Sequence, residues 1–182
     1  MATSEHWQIP RVVNVIARQQ PASILDVGSG WGKFGVLSRE YTQASRIDAI
    51  DAIAPRYPVY DHAYQGDLRR LREILPPETP VYDLAVFVEV IEHLTKPDAI
   101  HLVGQLLQVA RRVLITTPWG FRPQEIPGMP FETHRSGWYP WEFAKLARIL
   151  HVEVYPAYFT RHLHLPRYWQ QLVLLTARPP RA

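Results

Sequence analysis

One short stretch, residues 24–35, constrains the fold more than any other part of the 182-residue chain. It reads ILDVGSGWGKFG, so an apolar run ends in an acid and then passes into glycines at positions 28, 30 and 32. Glycines permit a tight turn and the close approach of a ligand, and a following helix offers unpaired backbone N–H groups. The stretch therefore predicts a buried strand, a ligand-binding turn and a helix.

The acid before the turn, Asp26, argues against a phosphate loop. A carboxylate there would repel a pyrophosphate, but it suits the cationic amino group of an aminoacyl ligand. The turn also lacks the Gly-Lys-Ser/Thr ending of phosphate-binding loops. The alternative is an ordinary strand-turn-helix that binds no cofactor.

A second acid, Asp51, closes an alternating run, residues 46–51, that is typical of a second strand. It follows the glycines by about 20 residues, the offset at which an acid accepts hydrogen bonds from ribose hydroxyls. One carboxylate for an amino group and one for a ribose together indicate a nucleoside that carries an amino acid.

With these residues the chain resembles the class I S-adenosylmethionine-dependent methyltransferases. The resemblance continues in order through Gly66-Asp67, residues 82–87 (YDLAVF) and residues 89–94 (EVIEHL), and it covers nearly the whole chain. It implies S-adenosylmethionine as cofactor and one catalytic domain over residues 1–182. The implied fold class is α/β, with a Rossmann-like, seven-stranded, mostly parallel sheet, helices on both faces and a final antiparallel strand.

Hydrophobic periodicity and breaker residues place the elements along the chain. Helices are predicted at residues 9–19, 33–40, 67–74, 96–109 and 141–150, and strands at 23–27, 46–51, near 59–64, and at 82–88, 113–116, 152–155 and 172–176. The last strand is expected to lie antiparallel at or near the sheet edge. Because ligands bind at the carboxyl ends of parallel strands, the motifs should converge on one crevice.

Composition excludes several classes of protein. The chain has no cysteine, which removes disulfides and thiolate metal sites, and no apolar run approaches the roughly 20 residues that cross a bilayer. Residues 1–8 are polar and do not resemble a signal peptide. The net charge of +3 argues only weakly for polyanionic partners. We expect a cytoplasmic protein with no membrane partner, and the oligomeric state stays open.

The resemblance also implies roles in the cofactor pocket. Asp26 and the backbone of the glycine turn would hold the methionine portion, Asp51 the ribose and Asp67 the adenine amino group, with Leu68 packing on the ring. Asp67 could equally cap a helix, and the two roles are compatible. Trp31 either walls the pocket or packs beneath the helix. The predicted cofactor-binding set is Asp26, Gly28, Ser29, Gly30, Trp31, Asp51, Ala52, Asp67, Leu68 and Glu89.

Acidic and histidine side chains follow the fourth predicted strand. In a helical turn Glu89, Glu92 and His93 would share one face, and such groups are not needed for packing. One interpretation is that the two glutamates are structural and tune His93, which then acts as a general base. We predict His93 and His134 as the catalytic residues.

A second interpretation rests on His134, which lies four residues before Trp138. With the Glu-x-x-Glu-His element, this pattern resembles the small-RNA terminal-ribose 2′-O-methyltransferases. That resemblance implies Glu89, Glu92, His93 and His134 as ligands of Mg²⁺ or Mn²⁺, which would lower the pKa of a substrate hydroxyl. Against it, Glu-His-Leu after this strand is widespread among methyltransferases, and the surroundings of His134 differ from those in the RNA enzymes.

The acceptor side is predicted from the chain after the fifth strand. Residues 121–141 are rich in proline, glycine and aromatics and could form a lid, with Trp119, Phe121, Trp138 and Tyr139 covering an acceptor. Equally, the aromatics could merely pin the loop. Residues 158–171 mix aromatic and basic side chains, which suits single-stranded nucleic acid or, as we favour, a solvated connection.

The resulting prediction is O-methylation of a small-molecule or sugar-like acceptor. A metal-dependent RNA ribose 2′-O-methyltransferase is the alternative, and the lack of an appended RNA-binding module in the sequence weakens it. A protein that binds the cofactor without catalysis is a further alternative, although such a protein would have no use for the acidic and histidine residues. Nucleic acid is thus the less favoured partner.

Overall fold

Seven strands form one sheet within residues 6–156 and 169–179, the part of the chain that the computed structural model describes. They are β1 (Ser23–Val27), β2 (Arg46–Asp51), β3 (His62–Gln65), β4 (Leu84–Val88), β5 (Arg112–Pro118), β6 (Arg148–Pro156) and β7 (Trp169–Thr176). The strand order is β3-β2-β1-β4-β5-β7-β6. The pairings among β1 to β5 are parallel, and β7 runs antiparallel to both of its neighbours. The predicted fold class is confirmed.

Five α-helices connect or flank these strands in the described residues. They are α1 (Ile9–Gln19), α2 (Lys33–Tyr41), α3 (Leu71–Ile74), α4 (Lys96–Val109) and α5 (Pro140–Leu146). Single 3-10 turns occupy His6–Gln8, Leu68–Arg70, Ile91–His93 and Pro130–Glu132. Among the helices described here, none combines the length and apolar character that a membrane crossing requires.

The helices cover both faces of the sheet. Val12 and Ile16 of α1 pack with one set of strand side chains, and Leu102 and Leu106 of α4 and Phe143 of α5 pack with the other. The central strand β4 is buried along its whole length, as its uninterrupted apolar sequence predicts. Two cores on opposite sides hold the carboxyl edges of β1 to β4 in fixed register.

The structure corrects the bounds of two predicted elements, the helix before β6 and the strand β3 at the far edge of the sheet. The helix predicted over residues 141–150 ends at Leu146, because residues from Arg148 onward pair with β7. β7 lies between β5 and the edge strand β6, so the prediction that the last strand is antiparallel and at or near the edge is confirmed. β3 begins only at His62, because the proline-broken chain before it pairs with no strand.

Alternation along β2 predicts that Asp48 is a solvated or edge residue, and that prediction is wrong. Its side chain is fully buried. The Tyr82 hydroxyl donates to Oδ2 at 2.6 Å, Arg46 Nε donates to the same oxygen at 2.8 Å, and the His62 backbone N–H donates to Oδ1 at 3.2 Å. Because β2 is covered on both faces, neither set of its alternating side chains is exposed to solvent. The three hydrogen-bond donors compensate the cost of burying the Asp48 carboxylate.

Candidate functional site

The glycine turn lies at the carboxyl end of β1 and depends on the missing side chains. Gly28 has φ of +69°, and a Cβ atom there would lie 2.4 Å from Cγ2 of Val90. Its backbone N–H donates to the Ile50 carbonyl at 2.8 Å, which ties the turn to β2. A residue with a side chain would therefore strain the backbone and displace the chain after β4.

Asp51, the last residue of β2, holds the turn from the neighbouring strand. Its Oδ2 accepts a hydrogen bond from the Gly30 N–H at 2.7 Å, and its Oδ1 accepts one from the Ile53 N–H at 3.0 Å. Asp26 and Asp51 thus lie at the same edge of the sheet. The carboxylate predicted to bind a ribose also organises the loop beside it.

Asp26 itself is buried, with 3% of its surface exposed. The Tyr60 hydroxyl donates to Asp26 Oδ2 at 2.6 Å. Burial raises the pKa of Asp26 to about 7, the Tyr60 hydrogen bond opposes that rise, and the nearby charge of Asp51 adds to it. Tyr60 was not predicted as a site residue, because it fell in the strand expected near residues 59–64 and no motif linked it to Asp26.

A cavity of about 1490 Å³ runs along this edge of the sheet. All of the predicted cofactor-binding residues except Asp26 line it, namely Gly28, Ser29, Gly30, Trp31, Asp51, Ala52, Asp67, Leu68 and Glu89. Its other end is lined by residues that follow β4 and by part of the long loop before α5, namely Val90, His93, Leu94, Met129, Pro130, Phe131, Glu132 and Arg135. One cavity therefore joins the glycine turn to the predicted catalytic element.

Trp31 and Asp67 illustrate roles that the sequence left open. Trp31 is 40% exposed and walls the cavity, and the guanidinium carbon of Arg56 lies 5.0 Å from its ring centroid. Asp67 caps the 3-10 turn Leu68–Arg70, because its Oδ1 accepts a hydrogen bond from the Arg69 N–H at 3.0 Å. Asp67 also lines the cavity. Hydrogen bonds from Arg69 lower the pKa of Asp67, so its carboxylate is ionised at neutral pH.

Glu89 stands at the end of β4 with a left-handed backbone, φ +54°. Thr116 Oγ1 donates to its Oε1 at 2.9 Å, and Gln170 Nε2 donates to its Oε2 at 3.1 Å. The predicted common face with Glu92 does not form, because a 3-10 turn begins only at Ile91. Glu92 is instead buried, and its Oε2 meets no hydrogen-bond donor among the described residues. Burial, with the nearby charge of Glu89, raises the pKa of Glu92 well above its usual range.

Three of the four predicted metal ligands meet. Glu92, His93 and His134 each offer an atom within 4.8 Å of the others, and Glu89 does not belong to this group. His134 Nδ1 lies 2.6 Å from the Arg122 carbonyl oxygen, and His93 Nδ1 lies 3.4 Å from that of Thr133.

Both imidazoles of this group are neutral at physiological pH. Burial lowers the pKa of His93, and burial with the neighbouring His93 lowers the pKa of His134 to about 4. In a neutral ring, an Nδ1 proton directed at a carbonyl leaves Nε2 as a proton acceptor or metal ligand. The group can therefore accept a proton or hold a cation.

The long loop before α5 is fastened to the turn that carries Glu92. The N–H groups of Arg135 and Ser136 donate to the Glu92 carbonyl at 2.7 and 3.0 Å, and the His134 N–H donates to the Gln124 carbonyl at 3.0 Å. These backbone bonds explain how His134 reaches His93 from 41 positions further along the chain.

None of the four aromatic residues considered as a cover for the acceptor lines the cavity, which favours the alternative that such side chains pin the loop. Trp138 is buried and stacks on Phe143 at 5.1 Å, and Trp119 contacts Tyr139 at 5.6 Å, away from the cavity. Met129 and Phe131 line the cavity instead. Of the basic and aromatic stretch 158–171, residues 158–168 lie outside the described residues, and the rest belongs to the buried strand β7.

No protein-family model and no curated protein matches the sequence, but solved structures share its fold. The N-methyltransferase NodS from Bradyrhizobium japonicum, in complex with S-adenosyl-L-homocysteine, has a TM-score of 0.67 at 10% identity, over 97% of this chain and 90% of that chain. The methyltransferase domain of bacterial CtHen1-C has a TM-score of 0.62 at 17% identity, over 94% and 97%. The N-terminal domain of EvdMO1, in the presence of S-adenosylhomocysteine and D-fucose, has a TM-score of 0.66 at 13% identity, over 97% and 85%. The chain therefore has the fold of the class I S-adenosylmethionine-dependent methyltransferases.

Proposed function

We propose that this protein is an S-adenosylmethionine-dependent methyltransferase that methylates an oxygen atom of a small-molecule or sugar-like acceptor. The observation that carries the proposal is the single cavity that contains the glycine turn and Asp51 at one end and His93 at the other. A binding site without catalysis would need only the first of these ends.

The volume of the cavity supports two ligands. Pockets for one small molecule typically measure about 300–1,000 Å³, so a cavity of about 1490 Å³ leaves room for an acceptor beside a cofactor. Asp51 would accept hydrogen bonds from the ribose hydroxyls, and Asp67 would accept one from the adenine amino group. Leu68 would pack on the adenine ring. The ionised Asp67 and the two oxygens of Asp51 suit these donors.

The chemistry requires positioning and the removal of one proton. When bound, the cofactor supplies a methyl group that its sulfonium already activates. The walls of the cavity hold an acceptor hydroxyl in line with that methyl group and exclude water. His93 Nε2 takes the hydroxyl proton, because the lowered pKa keeps its ring neutral and the side chain lines the cavity. His134, whose ring centroid lies 4.9 Å away, orients it.

The charges at the acceptor end favour a neutral acceptor. Two carboxylates, those of Glu89 and Glu132, line the part of the cavity near His93, beside one guanidinium, that of Arg135. Nucleic acid binding depends on cations that face phosphates, so this wall suits a polyhydroxylated small molecule better than an RNA backbone. The structural likeness to the N-terminal domain of EvdMO1, solved in the presence of D-fucose, supports the same class of acceptor.

Calorimetry with S-adenosylhomocysteine, followed by transfer of a radiolabelled methyl group to a panel of monosaccharides and small phenols, tests the proposal. We expect saturable binding and label transfer to at least one hydroxyl compound. Tight binding with no transfer to any acceptor would favour a non-catalytic binding protein. No binding at all would contradict the proposal.

A second candidate, a metal-dependent RNA ribose 2′-O-methyltransferase, is favoured by the group of Glu92, His93 and His134. The residues fit a divalent cation, because the Glu92 Oε2 is buried without a donor and both rings direct Nδ1 at carbonyls. Such a cation would lower the pKa of a substrate hydroxyl. Calorimetric titration of the protein with Mn²⁺ distinguishes the two candidate functions. Binding that Glu92→Gln abolishes, together with methylation of an RNA 3′ end, would favour the RNA enzyme.

A further inference from the structure

A segment between β2 and β3, residues 52–61, lies over the glycine turn, and we name it the strap. The N–H groups of Arg56 and Tyr57 both donate to the Trp31 carbonyl at 3.1 Å. Three residues of the strap line the cavity, namely Ala52, Ile53 and Tyr57. The strap therefore forms one wall of the end of the cavity that contains the glycine turn.

Tyr60 joins the strap to the base of the turn. Its hydroxyl donates to Asp26 Oδ2 at 2.6 Å, and its ring occupies the space that two glycines leave open. A Cβ atom on Gly35 would lie 2.4 Å from the Tyr60 Cζ atom, and one on Gly32 would lie 3.2 Å from Cε2. The glycines of this motif thus make room for a tyrosine as well as for a ligand.

The far end of the strap is anchored independently. Arg39 of α2 donates from Nε to the Val59 carbonyl at 3.0 Å and pairs with Asp61 at 2.5 Å. Asp61 in turn accepts the Ile47 N–H at 2.6 Å. Residues on both sides of Tyr60 are held by this network, so its hydroxyl is directed at Asp26 by the fold rather than by chance.

We propose that Tyr60 is a positioning residue for cofactor binding, whose hydroxyl orients the Asp26 carboxylate and whose ring seats the strap against the glycine turn. The inference rests on the proposed function, in which Asp26 attracts the cationic amino group of the cofactor. Asp26 lies behind the turn and does not line the cavity, so this attraction is electrostatic and depends on the ionised form of the carboxylate.

The hydroxyl of Tyr60 also affects the pH at which Asp26 ionises. The pKa of Asp26 is raised to about 7, because burial and the charge of Asp51 on β2 raise it by more than the Tyr60 hydroxyl and the Gly35 backbone lower it. Cofactor affinity should therefore increase as the pH rises through about 7. Removing the hydroxyl takes away a donor to the ionised form, so the pKa of Asp26 rises and the increase in affinity moves to higher pH.

Tyr60→Phe keeps the ring and removes only the hydroxyl. Calorimetry with S-adenosylhomocysteine between about pH 6 and about pH 9 should show affinity reduced about tenfold near pH 7, with the midpoint of the pH profile displaced upward. A purely structural role would lower affinity without moving that midpoint. Tyr41→Phe, an exposed tyrosine at the end of α2, is the matched control and should leave both quantities unchanged.

The double variant tests whether Tyr60 acts through Asp26. Asp26→Asn alone should lower affinity and remove the pH dependence, and adding Tyr60→Phe should then have little further effect. Equal losses in the two backgrounds, or an unshifted pH midpoint in Tyr60→Phe, would overturn the inference while leaving the proposed function intact. A wild-type protein that does not bind S-adenosylhomocysteine would contradict both.

Discussion

The two ends of the cavity are built in different ways. The end around the glycine turn takes its residues from consecutive strands, β1 to β3, and short backbone hydrogen bonds hold it together. The end around His93 joins residues from distant parts of the chain, such as Glu89 with Gln170, which are 81 positions apart. The first end comes largely from one continuous part of the chain, β1 to the residues after β3, and the second joins parts that are far apart in the sequence.

This contrast indicates a division of labour. A turn fixed by neighbouring strands can be rigid before any ligand arrives, which suits a cofactor of constant shape. The other end includes exposed loop side chains such as Phe131, 71% exposed, which can differ between proteins of the same fold. Variants at the two ends should therefore affect different measured quantities.

The largest effect is expected for His93→Gln. Losing a general base typically lowers kcat by about 10²- to 10⁴-fold, while the affinity for S-adenosylhomocysteine should stay unchanged. Steady-state kinetics and calorimetry on the same preparation check both quantities. His101→Gln, an exposed histidine on α4, is the control. An unchanged kcat would remove His93 from catalysis.

A smaller effect is expected for Asp51→Ala at the opposite end. Losing hydrogen bonds to a carboxylate costs about 1.5–3 kcal/mol, so the affinity for S-adenosylhomocysteine should fall about 10- to 100-fold. Circular dichroism should show a retained fold, and Glu78→Ala, an exposed acid, should bind normally. Equal affinity of Asp51→Ala and the native protein would remove the ribose assignment.

The smallest effect is expected for Phe131→Ala in the loop. Partial loss of an apolar contact of about 1 kcal/mol should raise the KM of the methylated acceptor about fivefold, with cofactor affinity unchanged. Phe121→Ala is the matched control, because Phe121 is also exposed but does not line the cavity. An equal acceptor KM in the two variants would contradict a contact between Phe131 and the acceptor.

The end of the cavity around the glycine turn could be predicted from the sequence, because most of its residues belong to short motifs within single elements. The glycine turn, the end of β2 at Asp51 and the boundaries of α1 and α4 follow from spacing within single elements. The carboxyl ends of parallel strands meet at one edge by topology alone, so the crevice followed as well.

The remainder depends on partners that are distant in sequence. No sequence motif links Tyr60 to Asp26, and only the folded chain brings its hydroxyl to that carboxylate. The last residues predicted for α5 became part of β6, because pairing with β7 replaced the hydrogen bonds of a longer helix. Asp48 was misplaced because its three donors come from strands and a neighbouring tyrosine that periodicity cannot identify.

The left-handed backbone of Glu89 has a consequence for the evolution of this chain. A non-glycine residue in that conformation costs about 1–3 kcal/mol, yet glycine would adopt it easily. Thr116 and Gln170 hold the carboxylate at the boundary of the two ends of the cavity. Glu89→Gly should thus relax the main chain but leave these two buried donors without their acceptor, and thermal melting would measure the balance. The glutamate persists against the preference of its own backbone, as expected of a residue retained for its carboxylate.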